Sequence, residues 1–595
     1  MALNNDEDKL RVIGLKNEGL SYSEISRDMG CLPSTIRRFL NKEHFLSWWE
    51  EYENGSNNSN QQKVKLDNDE KKLEVLRLHH QGIRPPQITM MTGISLTSIR
   101  RFLNKTTFTE WWEANNDKVS GTVDNHHSGI TRLSGKRFIF TSAQNNTYVN
   151  KGFFDSLMCY CNHNDAELIV GTFSYNKTGF QNLGKGEADW FDPMIEPFIL
   201  DKPAVVFDKL LWLGELNILP TAVTPLSGYH SYTKLDSGIF PHPKVQLESV
   251  PTYGDNDTKM LYTTGAITLQ NYIQKSAGQK AAFHHVFGAI VVECNSDGLW
   301  FPRQINADST GGFYDLTNYY HPSGEVTQNC RIEAINYGDL HVEKEDPLVF
   351  DAAFRRSGCM IDTLKPKFQF CHDILDFEAR NHHNIADPYY RLMTHHHGKD
   401  LVSDNIEKVA TTLNEMKRDF CKTVIVESNH DLALERWLKT ADYRQDPANA
   451  LTFLKLQLYM YERIINAETP NLMDYSLVTL TGMDTSNIEF LKVDQSYRIC
   501  GDIECGSHGH LGNNGARGSV LSHTRLGGRF NMGHTHAAAI RDGVFCAGHM
   551  MDKEKAKYAK GGSSWSVSCI LTYPNGKRTI VTLKKDKLGK VHWCV

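Results

Sequence analysis

The sequence has no pair of cysteines in the Cys-x-x-Cys spacing, although it contains 13 cysteines in 595 residues. That spacing is typical of thiolate zinc sites and of redox-active thiols, so its absence disfavours both classes. The cysteines are odd in number and scattered, which argues against a disulfide framework. Free thiols in a reducing cytoplasm are the simplest expectation.

Long apolar segments are also missing. The stretch VVFDKLLWLGELNIL is interrupted by Asp208, Lys209 and Glu215, whereas a membrane-spanning helix needs about 20 largely apolar residues. The beginning of the chain, MALNNDEDKL, is acidic and has no apolar segment of the kind found in secretory signals. We therefore expect a cytoplasmic protein that has no contact with a membrane.

The sequence has no excess of positive charge, since its formal net charge is −5. A contact with nucleic acid would have to come from a local basic patch, or from metal ions that offset the negative charge. The patterns GxxxxGK[ST] and GxGxxG do not occur either, so the sequence contains no phosphate-binding loop of these two types.

What the sequence does contain is a duplication within its first 113 residues. A segment that begins at Lys9 aligns without gaps with a segment that begins at Lys72, 63 residues further along. Each copy predicts three short helices in a helix-turn-helix arrangement. We assign the two all-α modules to residues 1–53 and 69–115, joined by the polar linker NGSNNSNQQK.

The shared IRRFLNK sequence places two adjacent arginines on the third helix of each copy. These residues are Arg37, Arg38, Arg100 and Arg101. Adjacent arginines suit contacts with phosphates and base edges, so DNA is the expected partner of both copies. The alternative is a pair of helical modules that bind protein, with the arginines in solvent.

Residues 136–329 predict an α/β body. KRFIFTSAQ has the pattern of a strand, KGFFDSLMCYCNHND that of a helix and AELIVGTFSY that of a second strand, which together form a βαβ unit. Further strands alternate with turns rich in glycine and proline up to about residue 329. The order of these strands in a sheet is not predicted.

In residues 330–595, an apolar run stops five times at a cluster of Asp, Asn or His. The clusters are DLH at 339–341, HDILD at 372–376, SNHD at 428–431, GSHGH at 506–510 and GHTH at 533–536. One such cluster alone is explained by a capping aspartate or a surface histidine. The series predicts a shared site, because functional sites of open α/β sheets assemble at the ends of strands.

The side chains of these clusters suit hard or borderline metal ions. Carboxylates, one amide and imidazoles without cysteine favour Mn²⁺, Fe or Zn²⁺ over metals that prefer thiolates. The set is too large for one tetrahedral ion and fits two ions that share a carboxylate. We expect two divalent ions, with Mn²⁺ as the first choice.

In this order the clusters resemble the motifs of the calcineurin-like metallophosphoesterase family, over about residues 334–542. The resemblance implies seven metal ligands, which are Asp339, His341, Asp373, Asn429, His508, His534 and His536. The first ion would be held by Asp339, His341 and His536, and the second by Asn429, His508 and His534. Asp373 would bridge the two ions, and His430 would lie beside the phosphate without binding metal.

Two positions depart from the family motifs, since His372 and Ser428 stand where the family has glycine. Both are positions that shape the backbone, so the predicted ligand set is unaffected. The implied fold is a four-layer αββα sandwich that follows the two helix-turn-helix modules. The His-rich segment 381–397 is either an insertion that lines the substrate groove or a solvated loop.

The segments LLWLGELNILPTA and GIFPHPK are further similar to those of nucleases with which tailed phages degrade the host genome. The expected activity is therefore a DNase of the host cytoplasm, in which a metal-bridging hydroxide attacks phosphorus and His430 protonates the leaving oxygen. One alternative is a phosphatase of a small phosphoester or phosphoprotein, with the repeats binding protein. Another is a DNA-binding regulator with an inactive body. Whether the protein forms a homo-oligomer stays open.

Overall fold

The computed structural model describes most of the chain. The described residues are 6–17, 22–29, 35–36, 39–40, 66, 69–80, 85–103, 130–175, 189–253, 257–556 and 561–594. The chain divides into two compact units, Met1–Ser128 and Gly129–Val595. Each is treated by itself below.

The first unit is helical, as the duplication predicts. Its helices are α1 (Asp6–Asn17), α2 (Tyr22–Met29), α3 (Asp69–His80), α4 (Pro85–Thr92) and α5 (Leu96–Phe102). The second copy thus has the three predicted helices, and Ser95 caps the last of them by accepting a hydrogen bond from the backbone N–H of Ser98. Val75, Ile88 and Ile99 lie in its apolar core.

The second unit is a mixed α/β structure, which confirms the predicted class. Its helices are α6 (Lys151–Asn164), α7 (Ser276–His284), α8 (Pro347–Phe350), α9 (Met360–Leu364), α10 (Pro388–His396), α11 (Val402–Met416), α12 (Leu432–Thr440), α13 (Ala450–Ile465), α14 (Leu472–Thr481) and α15 (Val520–Thr524). None of the helices in the described ranges is long and apolar enough to cross a membrane. The cysteines that the structure describes are all free thiols.

Within the described ranges, thirteen strands precede residue 330. They are β1 (Thr131–Arg132), β2 (Arg137–Gln144), β3 (Glu167–Phe173), β4 (Pro203–Phe207), β5 (Leu210–Leu213), β6 (Ser237–Phe240), β7 (Leu247–Val250), β8 (Lys259–Thr263), β9 (Gly288–Cys294), β10 (Trp300–Asn306), β11 (Phe313–Asp315), β12 (Asn318–Tyr320) and β13 (Val326–Thr327). The predicted βαβ unit is formed by β2, α6 and β3, and the two strands are parallel.

Thirteen further strands follow in the part of residues 330–595 that the structure describes. They are β14 (Ala334–Asn336), β15 (Phe368–His372), β16 (Lys422–Val426), β17 (Ile488–Leu491), β18 (Arg498–Ile499), β19 (Ile503–Glu504), β20 (Arg529–Met532), β21 (Ala539–Arg541), β22 (Val544–Cys546), β23 (Ser568–Thr572), β24 (Arg578–Thr582), β25 (Lys584–Lys585) and β26 (Val591–His592).

A six-stranded sheet in the order β17-β16-β15-β14-β23-β24 carries most of the predicted clusters. Strands β14 to β17 are parallel to one another, so their carboxyl ends meet at one edge of the sheet. The side chains of β15 and β16 are buried on both faces apart from the first residue of each strand, as expected for the middle of a parallel sheet.

The six-stranded sheet lies between helices and a second sheet. One face shares a core with α11, α12 and α13, through residues such as Leu413, Trp437 and Leu456. The other face packs Phe370 and Val424 against Ile503 of β19. This gives three successive layers, a helical layer followed by two sheets.

The second sheet has eleven strands in the order β1-β4-β5-β6-β8-β7-β21-β22-β20-β19-β18. It joins strands from 136–329 with strands from 330–595, because β21 pairs with β7. The two sequence regions therefore belong to one compact unit. On the face away from the six-stranded sheet, β20 and β22 pack against Val520 of the short helix α15, and Ile218 and Leu226 of a non-helical segment pack on β5 and β6.

Candidate metal centre

The first predicted cluster is fixed by the backbone that follows β14. Asp339 donates its N–H to the carbonyl of Gly548 at 3.0 Å, and its own carbonyl accepts the N–H of Met550 at 2.9 Å. The side chain is fully buried. Its Oδ2 accepts the backbone N–H of His534 at 2.7 Å, so the carboxylate of the first cluster is linked directly to the loop of the fifth.

His341 connects the first cluster to the second. Its N–H donates to the carbonyl of Asp373 at 2.7 Å, and its imidazole is fully buried. Nδ1 lies 3.1 Å from Oδ1 of Asp376, and donation of the Nδ1 proton to that carboxylate leaves Nε2 with a lone pair. Nε2 in turn lies 3.4 Å from Oδ2 of Asp373 and 3.2 Å from Nε2 of His536.

Four of the seven predicted ligands have a left-handed backbone, with φ of 43° at His341, 45° at Asp373, 73° at His534 and 58° at His536. For a residue other than glycine, such a conformation costs of order 1–3 kcal/mol. Each cost has to be offset by the surrounding structure, and strain of this kind collects at functional sites. The conformation lets each loop turn sharply after its strand and direct a side chain into the cluster.

The structure brings a core of the predicted ligands together. The ligand atoms of Asp339, His341, Asp373 and His536 lie within 4.8 Å of one another, and all four side chains are buried. His508 joins them from the loop after β19, with Nε2 3.4 Å from Oδ2 of Asp373 and Nδ1 3.9 Å from Oδ1 of Asp339. Loops from both sheets thus converge on one point.

Of the remaining two predicted ligands, only His534 has a defined contact with His508. The ring of His534 is 5.2 Å from that of His508, centroid to centroid, and is only half-buried. Asn429 lies in the loop after β16, and its Oδ1 is buried.

Several buried polar atoms of this cluster have no hydrogen-bond partner within the described part of the chain. They are Oδ1 of Asp339, Oδ1 of Asp373, Oδ1 of Asn429 and both ring nitrogens of His508. Buried polar groups are almost always hydrogen-bonded, so a group of exceptions calls for a further binding partner. Carboxylate, amide and imidazole atoms that face one another fit a divalent cation.

The electrostatics of the cluster point the same way. Burial and the charge of Asp373 raise the pKa of Asp339 well above its usual range. Burial also raises the pKa of Asp373, but the charges of His508 and His430 lower it by more than burial raises it. The net result is a pKa well below the usual range. Burial lowers the pKa of His536 to about 4. The imidazole of His536 is thus neutral, which is the form that binds metal. A cation between the buried carboxylates of Asp339 and Asp373 would stabilise both of them in the charged form.

His430 lies beside this cluster and is partly open to solvent. Its ring is 4.7 Å from the ring of His341, and its Nδ1 is 3.4 Å from Oδ1 of Asp376. About 20% of the side chain is exposed. Burial lowers the pKa of His430, whereas Asp373 and Asp376 raise it, and the outcome is a pKa of about 9.

Sequence reasoning missed the residues that hold the ligands in place. Asp376 pairs with Lys344 as well as with His341, and Glu343 accepts the backbone N–H groups of Asp376 and Phe377, both at 2.8 Å. The only sequence signal for Asp376 is its position three residues after Asp373 in HDILD. A carboxylate behind a histidine fixes its tautomer and orientation.

Asp431 fixes the loop that carries Asn429 and His430. Its Oδ1 accepts the N–H of Leu375 and its Oδ2 the N–H of Ser428, both at 3.0 Å. The Ser428 hydroxyl accepts the N–H of Asp431 at 3.1 Å. The Ser428 hydroxyl therefore adds a hydrogen bond within the loop that a glycine at this position would lack.

His372, the second residue that replaces an expected glycine, packs beside the predicted ligands instead of forming a hydrogen bond within its loop. The side chain is fully buried, its ring lies 5.6 Å from that of His508, and burial lowers its pKa to about 4. A neutral imidazole thus packs next to a predicted ligand. The His-rich segment contributes no residue to the metal-ligand clusters of the described chain, and His395, His396 and His397 are exposed.

The predicted DNA-binding residues are described for the second copy. Arg100 and Arg101 are exposed on α5, whereas Leu96, Ile99 and Phe102 of the same helix are buried. The arginines thus lie on the solvent side of the third helix. Arg37 and Arg38 lie outside the described residues.

Comparison with known proteins identifies the type of the amino-terminal unit. Residues 7–47 match the CENP-B N-terminal DNA-binding domain, which spans the first helix-turn-helix copy. The chain therefore combines an amino-terminal module of a DNA-binding type with a large α/β unit.

The chain is also 38% identical over 533 residues to Protein A1 of Escherichia phage T5, and the alignment covers 85% of this chain and 95% of that protein. It therefore belongs to the family of this phage protein. No solved structure matches the chain. Together the two matches indicate a DNA-related phage function.

Proposed function

We propose that the protein is a two-metal phosphodiesterase that cleaves DNA, with an αββα sandwich of the calcineurin-like metallophosphoesterase type. The observation that carries this proposal is the convergence of Asp339, His341, Asp373 and His536, with ligand atoms within 4.8 Å of one another. The buried oxygen and nitrogen atoms without partners there are the groups that a metal ion would satisfy.

The first ion would be held by Asp339, His341 and His536, and the second by Asn429, His508 and His534, with Asp373 between them. Mn²⁺ suits this set of oxygen and nitrogen donors, and Fe or Zn²⁺ is the alternative. Two bound ions would clamp the phosphate ester and lower the pKa of an attacking water. Asp376 would keep Nε2 of His341 free of its proton and directed at the first ion.

His430 would supply a proton to the leaving oxygen. Its place beside the cluster, its partial exposure and its contact with Asp376 all suit this role. Asp373 and Asp376 favour its protonated form by raising its pKa. A positioned acid of this kind contributes about 10²–10⁴-fold to the rate.

The amino-terminal unit would deliver DNA to this centre. The match to a DNA-binding domain and the exposed Arg100 and Arg101 support that role. Because the relative is a phage protein, we propose that the DNA is cleaved in the cytoplasm of an infected host. The alternative of a phosphatase with protein-binding repeats keeps the same metal centre but needs a different partner for the first unit.

The experiment compares four substrates in the presence of Mn²⁺: plasmid DNA, an oligonucleotide, bis(4-nitrophenyl) phosphate and the monoester 4-nitrophenyl phosphate. We expect cleavage of DNA and of the diester. Turnover of the monoester alone would favour the phosphatase. Absence of turnover with Mn²⁺, Fe²⁺ and Zn²⁺ would contradict the enzyme proposal and favour a regulator.

A matched pair of variants tests the acid. His430→Ala should keep both ions and bind DNA but cleave it about 10²–10⁴-fold more slowly, with a smaller defect on the nitrophenyl diester, whose leaving group needs no proton. The control is His396→Ala, at an exposed histidine outside the cluster. Equal losses on both substrates would assign His430 to phosphate positioning, and loss of an ion would make it a ligand.

A further inference from the structure

Next to the metal centre is a cavity of about 320 Å³ that His508 and His510 line on one side. Pockets for small ligands have volumes of about 300–1,000 Å³, so this cavity is at the small end of that range. It lies against the second predicted ion position, because Nε2 of His508 is 3.4 Å from Asp373. A part of the substrate that binds in this cavity would be the part bonded directly to the phosphate held at the metal centre.

The lining identifies the kind of group. The described lining residues include the carboxylates Glu427, Asp494 and Glu504 but no lysine or arginine, which disfavours a second phosphate. Leu526 and Phe530 supply apolar surface. Oδ1 of Asn513 is buried and has no hydrogen-bond partner in the described chain, so it offers an acceptor to an N–H group.

From this lining we infer that the cavity binds the base and sugar of the nucleotide adjacent to the scissile phosphate, an inference that rests on the proposed nuclease function. A base is a neutral, flat group with apolar faces and a hydrogen-bonding edge. It can enter such a cavity only after leaving the base stack, which costs a few kcal/mol in duplex DNA and least in single strands. The protein therefore prefers single-stranded or frayed DNA.

The test uses two chromogenic diesters that differ in the nucleoside, thymidine 5′-(4-nitrophenyl phosphate) and methyl 4-nitrophenyl phosphate. Asn513→Ala and the cavity-filling Leu526→Trp should lower kcat/KM about 10-fold for the thymidine diester, with little change for the methyl diester. Leu588→Trp, at a side chain that is 94% exposed, is the control. Equal effects on both substrates would overturn the inference.

Binding separates this inference from the proposed function. Saturation-transfer NMR of thymidine with the full chain should give a signal in the wild type that Leu526→Trp removes, whether or not any diester is hydrolysed. Absence of the signal in the wild type would overturn the pocket. Binding without hydrolysis would instead contradict the nuclease proposal alone.

A second observation concerns α13, which is apolar on two opposite sides. Phe453, Leu456 and Tyr459 are buried against the rest of the unit. On the other side a stripe of apolar residues is exposed, which consists of Leu451, Leu454, Leu458, Tyr461 and Ile465. An ordinary surface helix has only one apolar side, so the exposed stripe needs a partner.

The spacing of the stripe alternates between three and four residues, as in the seam of a coiled coil. In an antiparallel pair of such helices, Leu454 lies opposite Ile465 of the second copy and Leu458 opposite Tyr461. The same register brings Lys455 next to Glu462 of the second copy, and the two-fold symmetry repeats this pair. Both charged residues are exposed and flank the stripe.

The geometry points to a homodimer in which α13 pairs with α13 of a second copy. A helix of this length spans about 24 Å, and its stripe is complementary to itself in both shape and charge. The catalytic centre is not part of this surface. Dimerisation therefore does not depend on the proposed function.

Sedimentation equilibrium of the full chain should show a dimer. Leu458→Asp should raise the dissociation constant at least about 10-fold by placing two carboxylates in the apolar seam, whereas Leu588→Asp should not change it. Lys455→Glu and Glu462→Lys should each weaken the dimer, and the double variant should restore it. A monomeric wild type, or a double variant no stronger than the single ones, would overturn the proposal.

Discussion

Gly533 lies in the loop of the fifth cluster, close to the carboxylate of the predicted ligand Asp339. A Cβ atom at this position would lie 2.1 Å from Oδ1 of Asp339, whereas real Cβ contacts are essentially never shorter than 3.0 Å. The backbone of Gly533 does not need a positive φ, so the substitution Gly533→Ala introduces this one conflict. The carboxylate or the loop then has to move by about 1 Å.

A displacement of this size matters because the two groups are linked. The N–H of His534 donates to the same carboxylate at 2.7 Å, so a shift of either partner also moves the predicted ligands His534 and His536. A misplacement of about 1 Å in a catalytic arrangement can cost about 10²-fold in rate, and the overpacking itself costs about 1–3 kcal/mol of stability. We therefore expect weaker metal binding and hydrolysis reduced about 100-fold.

The assay has three readouts for Gly533→Ala: Mn²⁺ affinity by calorimetry, hydrolysis of bis(4-nitrophenyl) phosphate, and the melting temperature. Gly562→Ala is the matched control, because the nearest atom to its Cβ would be 3.5 Å away. If Gly533→Ala melts normally, binds Mn²⁺ normally and hydrolyses the diester at the wild-type rate, then Asp339 does not hold a metal in the way described.

Three further predictions concern other parts of the chain. Asp373→Asn should abolish hydrolysis and reduce the number of bound ions from two, since the bridging charge is lost; two ions with full activity would disprove the bridge. The double substitution Arg100→Ala and Arg101→Ala should flatten the plot of log K for DNA against log salt by about 0.9 per lost phosphate contact; an unchanged slope would favour protein as the partner of the repeats. The fully buried His242 uses both ring nitrogens in backbone hydrogen bonds, and burial lowers its pKa to about 4 from 6.5. The stabilisation provided by the neutral imidazole is therefore complete above about pH 6.5 and is lost as the pH falls through 4, by about 3 kcal/mol. The free energy of unfolding, measured in urea, should show this pH dependence in the wild type but not in His242→Gln.

The sequence is informative about the candidate metal centre because the predicted ligands follow strands. Asp339, Asp373 and Asn429 each lie within three residues of the end of a strand, and the parallel order of β14, β15 and β16 brings these strand ends together. A repeated local pattern thus predicted a three-dimensional cluster. The helices of the second amino-terminal copy were predictable for the same reason, since their apolar spacing is local.

The parts that escaped prediction depend on contacts between distant segments. Glu343 and Asp376 act through hydrogen bonds between two loops. The sequence around each residue does not indicate that the two loops are in contact. The order of the eleven-stranded sheet is set by pairings such as β7 with β21, and the strands are too short to specify a partner. In α13, the periodicity of the exposed stripe equals that of the buried side, so sequence alone does not separate them.

The pairing of β7 with β21 has a consequence for synthesis of the chain. Ser249 donates its hydroxyl proton to the carbonyl of Ala538 across 289 residues of sequence, two residues after the predicted ligand His536. Closing so long a loop is slow, because the chain entropy is lost before the contact is gained. The fifth cluster can therefore reach the other four only after Ala538 has left the ribosome. A chain that stops before this segment has the first four clusters but not the loop that completes them, so a hydrolytic centre of the proposed kind would become active only after the fifth cluster has been synthesised.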